Sequence, residues 1–410
     1  MYVRNSCNRL LRRPRDATRA FPGRRLVIEP LEERRLLQVA PFRLVWPDGN
    51  AEDMRALLRE HPITGATIIT HGFQPGNTAD WGDSLLPLAR AIRNRADAAT
   101  PLVENDAWLL DYDVGSEGGE GHFDAAQSIL PPRDDRPGHV VLLFDWAPES
   151  QENSAGWAEA AGDSLFSLLV GLGLVEPDAS TSVPLHFIGH SFGAAVTSEA
   201  VERLARFGVV VDQVTYLDPH DFDQDLLPID GSQKLYTLGQ PQLVPLGDDT
   251  RFNYGVTVWS NVEFCDAYYQ TRGRASDMVP GFVVPEGRPI PGAYNVPLQD
   301  GNQLPESYSL FSQESDHSWV WNGYYLATVT GSLSEDVNGN GRLDPSEDLN
   351  GDNLITVAPS PAGSVDWGST GYAYSRVAGG EKLREQARGN FFSDGQDHEH
   401  SSPAWFTNLA

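Results

Sequence analysis

Val183-Pro-Leu-His-Phe-Ile-Gly-His-Ser-Phe-Gly-Ala-Ala-Val-Thr-Ser-Glu-Ala200 is the stretch from which the rest of the chain can be read. Val183 to Ile188 is a short apolar run suited to a buried strand, and Ala194 to Ala200 continues as a helix whose small first residues permit close packing. Between them, Gly189-His190-Ser191-Phe192-Gly193 fits the G-x-S-x-G pattern. In that pattern a serine sits on a tight strand-to-helix turn, and the glycines let flanking backbone approach without a Cβ clash. In a chain with 39 glycines the pattern alone means little, so the strand before it and the helix after it carry the reading. Ser191 is therefore the candidate nucleophile.

Outward from this turn, short apolar runs alternate with longer amphipathic ones, as in a mostly parallel sheet with helices on both faces, the α/β class. The expected strands are Phe42 to Trp46, Ala66 to Thr70, Ala107 to Tyr112, Val140 to Asp145, Val183 to Ile188 and Val211 to Leu217. Helical periodicity is clearest in Leu85 to Arg95, Ala158 to Val170 and Ala194 to Arg206.

A serine hydroxyl needs a base to take its proton and a carboxylate to hold that base in the right tautomer. In sheets of this kind the order along the chain is serine, acid, histidine. Of the ten histidines, four follow Ser191: His220, His317, His398 and His400. His220 stands two residues beyond the best acid and is a poor partner for it. His398 and His400 lie in a polar run typical of an exposed tail, whereas His317 precedes Ser-Trp-Val-Trp-Asn-Gly-Tyr-Tyr325, an apolar segment able to anchor a histidine loop to the core. A base needs rigid support, so His317 is preferred. The acid should stand just past a strand that follows the nucleophile helix. Asp218 does so after Val211 to Leu217, where Pro219 ends the strand; Asp266, after Val256 to Cys265 as a further strand, is the rival. An oxyanion hole needs two backbone donors, expected from Phe192, beside the nucleophile, and from Phe73 in the His71-Gly72-Phe73 turn that follows the strand ending at Thr70.

His71-Gly-Phe73, Asp145-Trp146, Gly189-His-Ser-Phe-Gly193, Leu217-Asp-Pro219 and His317 before Trp321 and Tyr324-Tyr325 together resemble the lipase family that includes the pancreatic lipases. The resemblance spans residues 71 to 325 and implies an α/β-hydrolase fold, the lipase arrangement of triad and oxyanion hole, and an ester or lipid substrate. It also favours Asp218 over Asp266. The disulfides of the animal enzymes have no counterpart here.

Both ends of the chain read differently from the middle. Residues 1–40 hold ten arginines against four acids, while the remainder carries 20 basic and 53 acidic residues. Leu26 to Leu37 resembles the arginine-rich signal at the start of many exported planctomycete proteins, which implies a secreted or cell-surface location. The net charge of −27 argues against partners that present phosphate, whether nucleic acid or anionic membrane. No apolar run approaches the length of a membrane-spanning helix. With only Cys7 and Cys265 no disulfide framework is available, and Cys265 reads as a small buried apolar side chain.

Near the other end, residues 336–347 place Asp336, Asn338, Asn340, Asp344 and Glu347 at the oxygen-donor positions of a twelve-residue calcium loop, with Gly341 at its turn and the Arg342 carbonyl as a further ligand. A partial second loop begins at Asp348, Asn350 and Asp352, and its twelfth position is Pro359. The tandem pattern resembles the calcium repeats of dockerin and thrombospondin type 3 modules, and implies a structural Ca2+.

The expected organisation is an export signal or disordered arm over 1–40, a catalytic domain over 41–330, a calcium-loop insertion over 331–357 and a C-terminal extension over 358–410 that packs back on the domain. The expected function is a secreted carboxylic ester hydrolase working through an acyl-serine intermediate. The alternative is a calcium-stabilised binding protein on a catalytically silent hydrolase scaffold.

Overall fold

The computed structural model describes residues 42–73, 85–98, 107–114, 121–131, 137–150, 155–176, 183–220, 256, 258–259, 261–271, 286–290, 292–298, 316–331, 369–378 and 384. These form an α/β architecture built on one ten-stranded sheet. The strands are β1 (Arg43–Val45), β2 (Ala51–Asp53), β3 (Ile63–Thr70), β4 (Trp108–Asp113), β5 (His122–Phe123), β6 (Gly138–Asp145), β7 (Leu185–His190), β8 (Gln213–Leu217), β9 (Cys265–Tyr269) and β10 (Tyr294–Pro297). Their order across the sheet is β10-β9-β8-β7-β3-β6-β4-β5-β1-β2. From β10 to β4 every neighbouring pair is parallel; among the named strands antiparallel pairing appears at β4–β5 and β1–β2, near one edge.

The helices are α1 (Met54–Glu60), α2 (Leu86–Ala98), α3 (Ala147–Ser150), α4 (Ala155–Leu172), α5 (Gly193–Arg206), α6 (Asp316–Trp319) and α7 (Leu326–Thr330), with a π-helical stretch, Val320–Tyr325, joining the last two. Asp53 caps α1, its carboxylate accepting from the N–H groups of Arg55 and Ala56.

Parallel strands covered on both faces must be apolar at successive positions, and all eight residues of β6 are buried. Its side chains divide between two cores. Val140, Leu142 and Phe144 join Ala66, Ile68, Leu185 and Phe187 beneath α4 and α5, while Val141 and Leu143 join Ile69 and Ile188 beneath α2, the π stretch and α7. Helices therefore cover both faces of the sheet. At about 25 cal/mol per Å2 of apolar surface, such two-sided burial is what holds the central strands in fixed register.

Each expected strand and helix appears, with ends shifted by a few residues. Two expectations need correction. Val256 to Cys265 is not the strand after β8: apart from a single bridge between Val211 and Val262, the ladder starts at Cys265, opposite Val214, so Asp266 lies inside β9 and not beyond its end. The segment carrying His317 is helical, not a loop, because Trp319, Val320, Trp321, Tyr324 and Tyr325 bury one after another into the second core. Short β2, β5 and β10 and helix α1 were not anticipated.

Part of the chain's end also packs on this sheet. Tyr372 is buried in the second core, the Gly371 N–H donates to the Tyr268 hydroxyl (2.8 Å), and Arg384 Nη2 donates to Asp212 Oδ2 (2.6 Å) and Gln213 Oε1 (2.9 Å). Among the described residues no helix is long and apolar enough to cross a membrane. Cys265 is buried and free.

Candidate active site

Ser191 occupies the turn between β7 and α5, near the centre of the sheet. Its φ is +56°, a left-handed conformation that costs a non-glycine residue about 1 kcal/mol or more and that the surroundings must hold in place. They do so with backbone bonds: Ser191 N–H donates to Leu217 O at the end of β8 (2.9 Å), and Ser191 O accepts from Ala194 N–H (3.1 Å) and His220 N–H (3.3 Å). Glycines are needed here for space. A Cβ on Gly193 would lie 2.3 Å from the His71 carbonyl oxygen, and one on Gly72 would lie 2.4 Å from Ser191 Cβ and 2.8 Å from its Oγ. The loop after β3 thus lies directly against the serine side chain at Gly72; Phe73, the next residue in that loop, is half-buried, and Phe192, next to Ser191, is fully buried.

Asp218, the first residue past β8, is the other non-glycine residue with positive φ, +44°, among those described. Its N–H donates to Tyr268 O (2.7 Å), and its carboxylate has no solvent exposure. Oδ1 accepts from Gln270 N–H (2.8 Å), and Oδ2 accepts from Gln270 Nε2 (2.7 Å) and from His317 Nδ1 (2.6 Å). The last bond joins side chains 99 positions apart in sequence. Asp266 makes no such contact. Inside β9 its Oδ1 accepts from Thr215 Oγ1 (2.6 Å) and Gln213 Nε2 (3.2 Å), and its Oδ2 from Tyr268 OH (3.0 Å), a buried network within the sheet.

Burial drives the electrostatics of the Asp218–His317 pair. It raises the Asp218 carboxyl to about 7, against the opposing hydrogen bonds from Gln270 and the nearby His220, and it lowers the His317 imidazole to about 3. The pair therefore binds one proton as pH falls through about 7 and resists a second until about 3. Above the first step the carboxylate accepts from Nδ1–H, leaving Nε2 bare to accept a proton.

Two further imidazoles flank His317. The His190 ring centroid lies 4.6 Å from that of His317, and since a carbonyl only accepts, His190 Nε2–H donates to His317 O (3.1 Å). Burial holds His190 well below the ordinary imidazole range, so it stays neutral beside the base. The His220 ring lies 6.4 Å from His317, edge-on. No sequence pattern marks His220 or Gln270 for these places: Gln270 meets Asp218 only across neighbouring strands.

The structure thus brings Gly72, in the loop that carries Phe73, against Ser191, with Phe192 next to Ser191 on its turn, and Asp218 and His317 together as a bonded pair. Its backbone bonds tie the turn to the end of β8. Asp336, Asn338, Asn340, Arg342, Asp344, Glu347, Asp348, Asn350 and Asp352, and likewise His398 and His400, lie outside the described residues. Among the described residues no group of three or more His, Cys, Asp or Glu is placed to hold a metal ion.

No family model and no curated protein matches the chain. Among solved structures it is similar to a chain from Lactobacillus plantarum WCFS1, provisionally described as a cell surface hydrolase, at 13% identity, covering 51% of this chain and 68% of that one with a TM-score of 0.25. A score that low assigns no fold; the architecture rests on the strand order and register above.

Proposed function

We propose that the chain is a serine hydrolase of the α/β-hydrolase class that cleaves carboxylic esters. The single observation that carries this reading is the buried Asp218 Oδ2 to His317 Nδ1 bond of 2.6 Å, formed at the carboxyl ends of β7 and β8, where Ser191 is held at φ +56° on its turn. In the proposed reaction His317 Nε2 takes the Ser191 hydroxyl proton as Oγ attacks the ester carbonyl. Asp218 holds the ring with Nε2 bare and stabilises the imidazolium that forms. The Phe73 and Phe192 N–H groups hold the oxyanion, each worth about 3 kcal/mol. Collapse expels the alcohol, which takes the proton from Nε2–H, and a water deprotonated by the same nitrogen releases the acid and restores the serine.

Preference for an ester rests on the lipase-like motif set, and an uncharged substrate suits the net charge of −27. Export by the arginine-rich start, and a structural Ca2+ held by residues 336–352, belong to the same proposal and rest on sequence alone.

The test is labelling and turnover together. A fluorophosphonate should modify the wild-type chain and not Ser191→Ala, and turnover of a short-chain nitrophenyl ester should fall by about 10^4-fold or more in that variant. Turnover that survives in Ser191→Ala refutes the assignment.

A further inference from the structure

A second buried carboxylate–imidazole pair stands on the other side of Ser191 and takes no part in the reaction proposed above. His71 Nε2 lies 2.9 Å from Asp145 Oδ1, although the two residues are 74 positions apart. Asp145, at the end of β6, is braced by the Ala147 N–H (2.7 Å), and its carboxyl is held below its ordinary range by the hydrogen bond and charge of His71, although burial pushes the other way. Trp146 encloses the ring: the two side chains stack with centroids 5.7 Å apart, Trp146 Nε1–H donates to His71 O (2.9 Å), and the Trp146 backbone N–H faces His71 Nε2 (2.9 Å). His71 is 1% exposed and Asp145 6%, so the pair is largely shielded from solvent.

The remaining ring nitrogen gives the arrangement its purpose. His71 Nδ1 lies 2.9 Å from Gly72 O. A carbonyl oxygen only accepts, so Nδ1 carries the proton whichever role Nε2 takes between Asp145 and the Trp146 N–H. The Gly72 carbonyl belongs to the same planar peptide unit as the Phe73 N–H, and no cis peptide occurs among the described residues. In a trans unit the C=O and N–H point in opposite directions. A bond that fixes the Gly72 carbonyl toward the His71 ring therefore fixes the Phe73 N–H away from it. Gly72 itself touches the Ser191 side chain, since a Cβ there would stand 2.8 Å from Oγ.

We infer that His71, anchored by Asp145 and Trp146, is a positioning residue that aims the Phe73 N–H at the oxyanion by holding the opposite face of the same peptide. This rests on the hydrolase reading. A donor whose direction is set before substrate arrives needs no reorientation in the transition state, where it acts. His71 should thus affect kcat and leave ground-state binding alone.

Two substitutions separate aiming from packing. Asparagine places its side-chain N–H near the position of Nδ1, and glutamine near that of Nε2. His71→Gln should lose the bond to Gly72 O and lower kcat by about 10–100-fold with KM within about threefold, while a trifluoromethyl ketone analogue weakens in parallel. His71→Asn should recover most of kcat. His71→Gln with unimpaired kcat, or His71→Asn no better than His71→Gln, overturns the inference. Should the variants not fold, 15N NMR of the wild-type ring near neutral pH decides: Nδ1 protonated supports it, Nδ1 bare overturns it. A wild-type chain without ester turnover brings down the hydrolase reading and this inference together. Turnover in the wild type with His71→Gln unimpaired brings down this inference alone.

Discussion

Replacing Asp218 with asparagine tests the site most sharply, because the surrounding donors dictate how the amide must sit. Oδ1 accepts from the Gln270 backbone N–H (2.8 Å), a donor that cannot turn, so the asparagine carbonyl must take that place. Its NH2 then falls where Oδ2 receives Gln270 Nε2 (2.7 Å) and His317 Nδ1 (2.6 Å). The Gln270 side chain can flip and present its own carbonyl. His317 can answer the new donor only by giving up the proton on Nδ1 and carrying it on Nε2, and in that tautomer it cannot accept the Ser191 proton. Loss of the right tautomer in a triad lowers kcat by about 10^4-fold, equivalent to about 5 kcal/mol of transition-state stabilisation. The assay is steady-state turnover of a nitrophenyl ester, with thermal melting to confirm that the fold is kept. Asp266→Asn is the matched control, since it removes an equally buried carboxylate that does not touch His317, and its kcat should stay within about threefold of wild type. Asp218→Asn with more than about a tenth of wild-type kcat, or Asp266→Asn as inactive as Asp218→Asn, would refute the assignment of the acid.

Other outcomes follow from the same geometry. Because burial raises Asp218 to about 7 and lowers His317 to about 3, the pair gains a proton as pH falls through about 7. Whether that proton makes a carboxylic acid beside an Nε2–H imidazole or a carboxylate beside an imidazolium, Nε2 is occupied; kcat/KM should therefore fall below pH about 7 and level off above it, and a profile flat down to pH about 5 contradicts this. Gly72→Ala forces a methyl group to within 2.4 Å of Ser191 Cβ, which should lower kcat by about 100-fold and stability by about 1–3 kcal/mol, as read by turnover and urea titration. If residues 336–352 hold calcium, the full chain should melt higher in about 1 mM Ca2+ than in chelator, and Asp336→Ala should abolish the difference; equal melting in both conditions removes the metal.

The sequence made the sheet legible because buried parallel strands leave a local record. Val140 to Asp145 and Ala66 to Thr70 are mostly apolar runs, buried throughout, and each appears as a strand where the pattern put it. The helix after Ser191 was equally plain, its small first residues being those that fit against the strand. Short edge strands such as His122–Phe123 left no record, because two residues cannot display a period. The sequence singles out His317 by elimination but gives its surroundings only as an anchored loop; the aromatic run after it instead winds as helix, which packing against α2 and β9 explains.

By itself the sequence determined the α/β alternation, the turn at Ser191 and a short roster of acids and bases, because strand burial, turn glycines and residue chemistry are local properties. The sequence already favoured Asp218 over Asp266; the tertiary structure gives the two acids different surroundings. Asp266 is level with Thr215, three positions before Asp218, so one carboxylate is buried within the sheet while the other stands past the end of its strand, and register is fixed by neighbouring strands. Only the tertiary structure decided the company each group keeps: Gln270 and His317 on Asp218, Asp145 and Trp146 on His71. Hydrogen bonds between residues tens of positions apart exist only once the chain has closed around them, so no local pattern records them.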